Sequence, residues 1–213
     1  MSTPKAGRPA GRPAADHQVQ REQLLDVATE TFAHIGIRAA SLRAIAERAG
    51  VTPALLNYYF GGKQKLVSAM VEERFLPLLG TLGADLQQSG DDPRELVARF
   101  VRGLSRIVAE HPWIPPLWVR EILCEGGVLR AQLTSRIAPM VPLLLARRFA
   151  TAQAEGKLNP ALDPRLLVVS LIGVTMLPYA AAPIWRDVFA NPEIGNETLV
   201  AHTLALLQHG MEV

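Results

Sequence analysis

The chain has 213 residues, of which 49% are hydrophobic and 20% charged, with one cysteine and a formal net charge of +2. This composition excludes a disordered chain, a disulfide framework and a cysteine-based zinc finger. The charge is uneven, because residues 1–65 hold nine basic and five acidic side chains, a balance of +4, against −2 in the remainder. That asymmetry indicates that the front third contacts nucleic acid or an anionic surface. An ordinary solvated surface is the alternative.

Residues 1–15 are rich in Pro, Gly and Ala and predict a disordered basic arm. Gly-Arg-Pro occurs twice, at 7–9 and 11–13, and resembles half of a minor-groove AT-hook that would use Arg8 and Arg12. A solubilising tail is the simpler interpretation. No apolar stretch follows the basic N-terminus, so we expect no secretory signal and a cytoplasmic protein.

Three short helices are predicted between residues 16 and 62. Gly36 ends the first, and Ser41 is typical of the N-cap of the second, which Gly50 ends. Thr52-Pro53 begins the third, because proline is favoured at the first helical position, and this helix ends by residues 61–62. A short glycine-containing turn between the second and third helices is typical of a helix-turn-helix unit.

Roughly six longer helices are predicted behind this unit, and no segment reads as a strand. They run at about 63–88, where Pro77 predicts a kink, and at 93–110, 113–125, 128–155, 164–182 and 196–210. The uncharged run 166–185 has the length of a membrane span, but its prolines favour a helix buried in a bundle or subunit interface, with no membrane. The sequence therefore predicts an all-α protein, with a helix-turn-helix DNA-binding domain at 16–62 and a helical bundle at 63–213.

The third helix has two different faces. Leu56 and Phe60 lie on the face predicted to pack on the first two helices. The opposite face carries small or polar side chains, with Asn57 suited to adenine and Tyr58 to a phosphate. Small residues allow close approach to a major groove, so this face is the predicted recognition surface.

Three patterns together point to a known family. They are Ala28-x3-Phe32-x3-Gly36, Ser41-Leu42-x2-Ile45-Ala46-x2-Ala49-Gly50-Val51, and Leu56-x-Tyr58-Tyr59-Phe60-x2-Lys63-x2-Leu66. The stretch 21–75 that contains them resembles the N-terminal DNA-binding domain of TetR-family transcriptional repressors. The resemblance implies a homodimer of all-α subunits, a C-terminal domain that binds a small effector, and two helix-turn-helix units on palindromic double-stranded DNA.

The resemblance also assigns DNA-contacting positions, some reading bases and others the backbone. They are Ser41, Arg43, Thr52, Pro53, Ala54, Leu55, Asn57, Tyr58 and Lys63. Many members have Lys or Arg where this chain has Pro53, and a small hydroxyl residue where it has Leu55. We therefore expect base readout here to depend on apolar contact and on Asn57.

The last two long helices are the candidates for the subunit interface, because two helices from each subunit form an isologous four-helix bundle. The expected interface residues are Leu167, Leu171, Val174, Leu199, Thr203, Leu206 and Leu207. The core of a single subunit is the alternative for each of them.

A ligand pocket between helices is usually apolar with a few polar groups. The expected lining is Phe100, Trp113, Trp118, Arg120, Met140, Phe149, Met176 and Tyr179, and it implies a small apolar effector. Glu121 joins Arg120 as a polar candidate, although a structural ion pair between them is the simpler interpretation.

The five histidines lack metal-ligand spacing, and no nucleotide-binding or hydrolase motif occurs, so the sequence predicts no metal, cofactor or enzyme activity. The favoured hypothesis is a dimeric one-component repressor released from its operator by a small effector. One alternative is a helical small-molecule-binding protein or enzyme with a vestigial helix-turn-helix domain. Another is an activator or a nucleoid-type binder that uses the Arg8/Arg12 arm.

Overall fold

The computed structural model describes residues 14–190 and 194–211, and within these ranges the chain is helical with no strand, as predicted. Arg8 and Arg12 of the predicted arm lie outside the described residues. The helices are α1 (Ala14–Ile35), α2 (Leu42–Arg48), α3 (Pro53–Phe60), α4 (Lys63–Met70), α5 (Leu76–Gln87), α6 (Pro93–Glu110), α7 (Ile114–Trp118), α8 (Arg130–Gln132), α9 (Pro142–Ala154), α10 (Pro164–Ala180), α11 (Ala182–Val188) and α12 (Asn196–Met211). Three π-helical turns occur at Val71–Phe75, Val119–Leu123 and Leu133–Ile137.

Helices α1 to α3 form the predicted helix-turn-helix unit around a small core. Phe32, Ile45 and Leu56, one from each helix, are fully buried there. The Ser41 hydroxyl accepts from the Ala44 amide at 3.1 Å and caps α2. Helix α3 ends at Gly61, whose φ of +66° gives the left-handed C-cap that glycine adopts without strain.

The predicted helix at 63–88 is interrupted by a π-helical turn. Pro77 has no N–H to donate to the Glu73 carbonyl one turn earlier, and the turn Val71–Phe75 lies directly before it. The Arg74 guanidinium donates to that carbonyl at 3.3 Å and partly replaces the missing bond. The disruption expected at Pro77 therefore begins in the preceding turn.

Two aspartates cap the longer C-terminal helices. Asp92 accepts from the Arg94 amide at the start of α6, and Asp163 accepts from the Arg165 amide at the start of α10. The segments predicted as helices at 113–125 and 128–155 are instead divided. Each contains a π-helical turn, and a break precedes Pro142 at the start of α9.

The apolar run 166–185 is split between α10 and α11, which meet at a bend of 64°. Among the described residues no single helix is long and apolar enough to cross a membrane, although these two pass that test as a bent pair. One face of α10 is buried, through Val168 and Leu171, whereas Val169 and Leu177 are more than half exposed.

Two hydrophobic cores lie side by side. The front core combines α1 to α3 with Leu66 to Val71, and it also takes in Leu117, Ile122 and Leu129 from farther along the chain. The rear core is formed by α5, α6, α9 and α10. Trp113 and Trp118 pack against both cores, so the region around α7 joins the two parts of the molecule.

Candidate DNA-binding site and ligand cavity

Helix α3 presents the predicted recognition face to solvent. Thr52, Pro53, Ala54, Asn57 and Tyr58 are exposed, Tyr58 by 74%. Leu55 is half-buried, and Leu56 and Phe60 lie in the core on the opposite side. The structure therefore brings the predicted base-reading residues together on one open surface.

The end of α3 is held against the start of α1. The Tyr59 hydroxyl donates to Gln20 Oε1 at 3.0 Å and lies 3.0 Å from His17 Nδ1. The Arg21 guanidinium lies 4.9 Å from the centre of the Phe60 ring, at cation–π distance. These contacts fix the orientation of the exposed face, which a groove-reading helix requires.

The predicted backbone-contacting residues lie beside this face. Arg43 is exposed on the first turn of α2, next to the capping Ser41. Lys63 begins α4, and its ammonium group donates to the Arg38 carbonyl at 2.9 Å. Lys63 thus ties α4 to the turn between α1 and α2, a contact that the sequence did not predict.

A cavity of about 90 Å³ lies in the rear core between α5, α6, α7, α9 and α10. Its wall has no charged side chain, and all of its residues are aliphatic or aromatic. They are Phe75, Leu78, Leu79, Leu82, Phe100, Leu104, Ile107, Ile114, Trp118, Ile122, Ile137, Val141, Pro142, Ile172 and Met176. Such a wall selects uncharged apolar groups, because a polar group here would lose its hydration without a partner.

Only part of the predicted lining reaches this cavity. Phe100, Trp118 and Met176 line it. Phe149 is fully buried in the rear core without reaching the cavity, and Trp113 and Met140 pack at the edge of that core. Most of the residues that the sequence missed carry ordinary leucine and isoleucine side chains, which pattern alone does not separate from core.

Arg120 and Tyr179 are corrections to the predicted pocket. Arg120 points away from the cavity and donates to the His34 carbonyl at 2.8 Å. Tyr179 donates to Asn196 Oδ1 at 2.5 Å, and its burial raises the pKa of its hydroxyl. Neither side chain therefore offers a polar contact to a ligand in the cavity, because Arg120 is directed towards α1 and Tyr179 towards α12.

Glu121 occupies the junction between the two cores and is only 4% exposed. Its two oxygens accept from the amides of Ile37 (2.8 Å) and Val128 (3.0 Å). The expected Arg120–Glu121 ion pair is thus replaced by separate bonds from each side chain to the backbone.

The predicted interface residues divide into two groups. Leu167 and Leu171 are buried in the subunit's own rear core, and Leu207 packs at its edge, so these three follow the alternative interpretation. Val174, Leu199, Thr203 and Leu206 line an open apolar groove between α10, α11 and α12. The groove also contains residues that the sequence did not single out, namely Leu177, Pro178, Ala181, Trp185, Phe189, Ile194, Thr198 and His202.

A bidentate ion pair joins α1 to the π-helical turn after α4. Arg21 Nη1 and Nη2 donate to the Glu73 carboxylate at 2.7 and 2.6 Å. These hydrogen bonds hold the pKa of Glu73 below its ordinary value and raise that of Arg21. Among the described residues, no three His, Cys, Asp or Glu side chains are placed to hold a metal ion.

Known proteins resemble the chain at two levels. The family model for bacterial regulatory proteins of the tetR family matches residues 24–70. The HTH-type transcriptional regulators BetI of Brucella anthropi and Stenotrophomonas maltophilia are 37% and 32% identical, over 86 and 85 residues. Those matches cover 39% and 40% of this chain, and the chain spans only 42% and 43% of the length of these relatives.

Solved structures match over nearly the whole chain. The ketosteroid transcriptional regulator KstR2 of Mycobacterium tuberculosis is 21% identical, covers 97% of this chain and 100% of its own, and gives a TM-score of 0.71. The regulator FadR of Bacillus subtilis, in complex with stearoyl-CoA, is 20% identical, with coverages of 89% and 98% and a TM-score of 0.68. At these identities the likeness shows the fold. Residues 24–70 therefore resemble bacterial regulatory proteins of the tetR family, and the whole chain shares the fold of these solved regulators.

Proposed function

We propose that the protein is a one-component repressor that binds a palindromic operator as a homodimer and leaves it when a small apolar effector enters the cavity. The observation that carries the proposal is the exposed face of α3, which is small, polar and anchored through Tyr59. A DNA-bound regulator acts where the chromosome lies, so the cytoplasm is its proposed location.

The outward residues of α3 suit a major groove. Asn57 offers an amide that pairs with adenine, and Pro53 and Leu55 offer apolar contact to a thymine methyl group. Tyr58 on the helix, and Ser41, Arg43 and Lys63 beside it, supply phosphate donors. Removal of Asn57 should therefore lower the specificity of DNA binding, whereas removal of a flanking cation should lower the affinity for every DNA sequence.

The groove between α10, α11 and α12 supports the homodimer. Leu177, Phe189 and Leu206 line the groove and are each more than half exposed, which is unusual for large apolar side chains on one surface. A second copy packing the same helices against this groove would cover them by an isologous contact. Two recognition helices would then face one palindrome.

The cavity supports an apolar effector. Its volume of about 90 Å³ admits a short hydrocarbon group, and a known apolar cavity of ~150 Å³ binds benzene. Of two proteins that share the fold, one is named a ketosteroid transcriptional regulator and the other is in complex with stearoyl-CoA, and both of these molecules are rich in hydrocarbon. Leu78, Leu79 and Leu82 of α5 form part of the wall, and α5 continues from α4, which begins beside α3.

A gel-shift assay tests this function. The full chain is titrated onto DNA from upstream of its own gene and onto a scrambled duplex, at two salt concentrations, with and without extract of the source cells. We expect preferential binding to the upstream DNA and release by an extractable small molecule. Equal affinity for both duplexes would contradict operator binding, and undiminished binding with every extract fraction would contradict effector release.

A further inference from the structure

One segment, residues 114–123, lies between the cavity and the DNA-binding domain. Ile114, Trp118 and Ile122, spaced by four residues, line the cavity. Leu117 is buried in the front core, together with residues of α1 to α4. Any group that enters the cavity therefore touches a segment whose other side supports the DNA-binding domain.

Glu121 is the hydrogen-bonding centre of that other side. Its Oε1 accepts from the Ile37 amide, in the turn between α1 and α2, and its Oε2 accepts from the Val128 amide. Each oxygen thus holds a different stretch of chain, and neither bond is exposed to competition from bulk water, because the residue is 4% exposed. The carboxylate connects the cavity wall directly to the backbone of the DNA-binding domain.

The turn between α1 and α2 is also packed tightly on this segment. Gly36 has φ of +88°, and a Cβ there would lie 2.9 Å from Arg120 Cδ and 3.3 Å from Glu121 Oε1. Arg120 also donates to the His34 carbonyl. The turn therefore follows the segment if the segment moves, since sliding past it would break the hydrogen bonds from Ile37 to Glu121 and from Arg120 to His34.

The same turn sets the position of the recognition unit. Ile37 is buried in the front core, and the Arg38 carbonyl accepts from the Lys63 ammonium group at the start of α4. Ser41, four residues after Ile37, caps α2, which packs on α3. A shift of the turn is thereby passed to α2 and α3.

We propose that Glu121 is the positioning residue that couples the cavity to the recognition helix. An occupant that displaces Trp118 and Ile122 shifts the Glu121 carboxylate and strains its bond to the Ile37 amide, so the turn between α1 and α2 moves with it. This inference rests on the proposed function, and it assigns the coupling to one carboxylate and two amides.

The first test needs neither ligand nor DNA. Ile172→Phe adds bulk to the cavity wall from α10, and Leu143→Phe makes a matched change on the exposed side of α9. Amide hydrogen exchange is measured on both full-length variants and on the parent chain. We expect the Ile37 and Val128 amides to exchange roughly tenfold faster in Ile172→Phe only, while the Gly61 amide, which donates to Asn57, is unchanged.

The second test uses operator affinity. Gln at position 121 has a single acceptor oxygen, so Glu121→Gln retains at most one of the two bonds, whereas Glu125→Gln changes an exposed carboxylate nearby. Ile172→Phe should lower operator affinity roughly tenfold in the parent and in Glu125→Gln. It should have less than about a twofold effect in Glu121→Gln, because the proposed coupling needs both bonds and this variant keeps at most one of them.

The results of these experiments test the coupling through Glu121 and the proposed repressor function separately. Unchanged Ile37 and Val128 exchange in Ile172→Phe overturns the coupling whether or not the chain binds DNA. A full effect of Ile172→Phe in the Glu121→Gln background also overturns it and leaves Glu121 a structural residue only. Failure of the parent chain to bind operator DNA contradicts the proposed function, and the exchange experiment then decides the coupling alone.

Discussion

At the residue scale, two groups on the DNA-facing surface should respond differently to removal. Both are exposed, and in the proposed function the Asn57 amide reads a base and the Arg43 cation meets a phosphate. We predict that Asn57→Ala weakens specific binding by about 1–3 kcal/mol and relaxes preference at one operator position. Arg43→Ala should weaken binding to all DNA sequences alike, and should reduce the slope of log affinity against log salt concentration by about 1.

Fluorescence anisotropy on the operator and on single-base variants, over a salt series, distinguishes the two roles. The parent chain on a scrambled duplex is the reference. If each variant lost as much affinity for the operator as for scrambled DNA, Asn57 and Arg43 would not have separate roles in base reading and backbone contact.

Substitution of Gly36 should lower the stability of the fold more than substitution of another glycine with a left-handed backbone. Both Gly36 (φ +88°) and Gly156 (φ +70°) have left-handed backbone conformations, but only Gly36 has neighbours within 4 Å of the point that a Cβ would occupy. Gly156→Ala should cost about 1–2 kcal/mol from the backbone alone, and Gly36→Ala should cost more, because its Cβ would press on Arg120. Denaturant unfolding of both variants measures the loss in free energy of unfolding. Equal losses would mean that the turn at Gly36 moves away from Arg120 at no cost.

At the element scale, the pair between Arg21 and Glu73 joins α1 to the turn that follows α4. The hydrogen bonds from Arg21 lower the pKa of Glu73 in the folded chain, so the pair stabilises the fold above the unfolded pKa, whose ordinary value is 4.5. We predict that this contribution is lost as the pH falls below about 4.5, through the lowered folded pKa of Glu73.

Urea unfolding between pH 7 and pH 3 checks the sign. Glu73→Gln removes the titrating group, so its stability should fall less steeply with acid than that of the parent chain. Glu125→Gln, an exposed carboxylate in the loop after the π-helical turn Val119–Leu123, is the control. A parallel acid slope for Glu73→Gln and the parent would contradict the role of the pair.

Most of the helices could be predicted from the sequence, because capping residues and glycines near each end determine where a helix begins and ends. Ser41 caps the helix that it was expected to begin, Asp92 and Asp163 cap the helices predicted at 93–110 and 164–182, and glycines follow the ends of α1 and α3. The π-helical turns were not predicted. They depend on how Pro77 and the 119–123 segment satisfy their backbone in the packed chain, for example through the bond from Arg74 to the Glu73 carbonyl.

Site residues were harder to predict than elements. Arg120 was expected in the pocket, yet it faces the DNA-binding domain, because which side of a short segment meets a cavity depends on tertiary packing. Leu167 and Leu171 were expected at a subunit interface but lie in the core. Helix α10 is apolar on both faces, so its sequence does not tell which face packs within the subunit.

At the scale of the whole molecule, the apolar groove of α10 to α12 should control assembly and DNA binding together. Leu177 and Leu206 are 60% and 57% exposed there. We predict that Leu177→Glu gives a monomer, because a dimer would bury an unpaired carboxylate, and that operator affinity falls with it. Leu143→Glu, on the exposed side of α9, should leave the dimer intact.

Light scattering after size exclusion gives the mass of each variant, and thermal unfolding shows whether it is folded. A folded Leu177→Glu dimer with full operator affinity would place the subunit interface elsewhere. A monomeric parent chain would contradict the homodimer itself.

In the proposed dimer, two recognition helices read one symmetric operator. Hydroxyl-radical footprinting of the parent chain on DNA upstream of its own gene tests it most directly. We predict two protected half-sites related by a dyad, with centres one helical turn or a multiple of about 10–10.5 base pairs apart, and loss of both with Leu177→Glu. Protection of a single unsymmetrical site, or uniform protection along the duplex, would contradict the account.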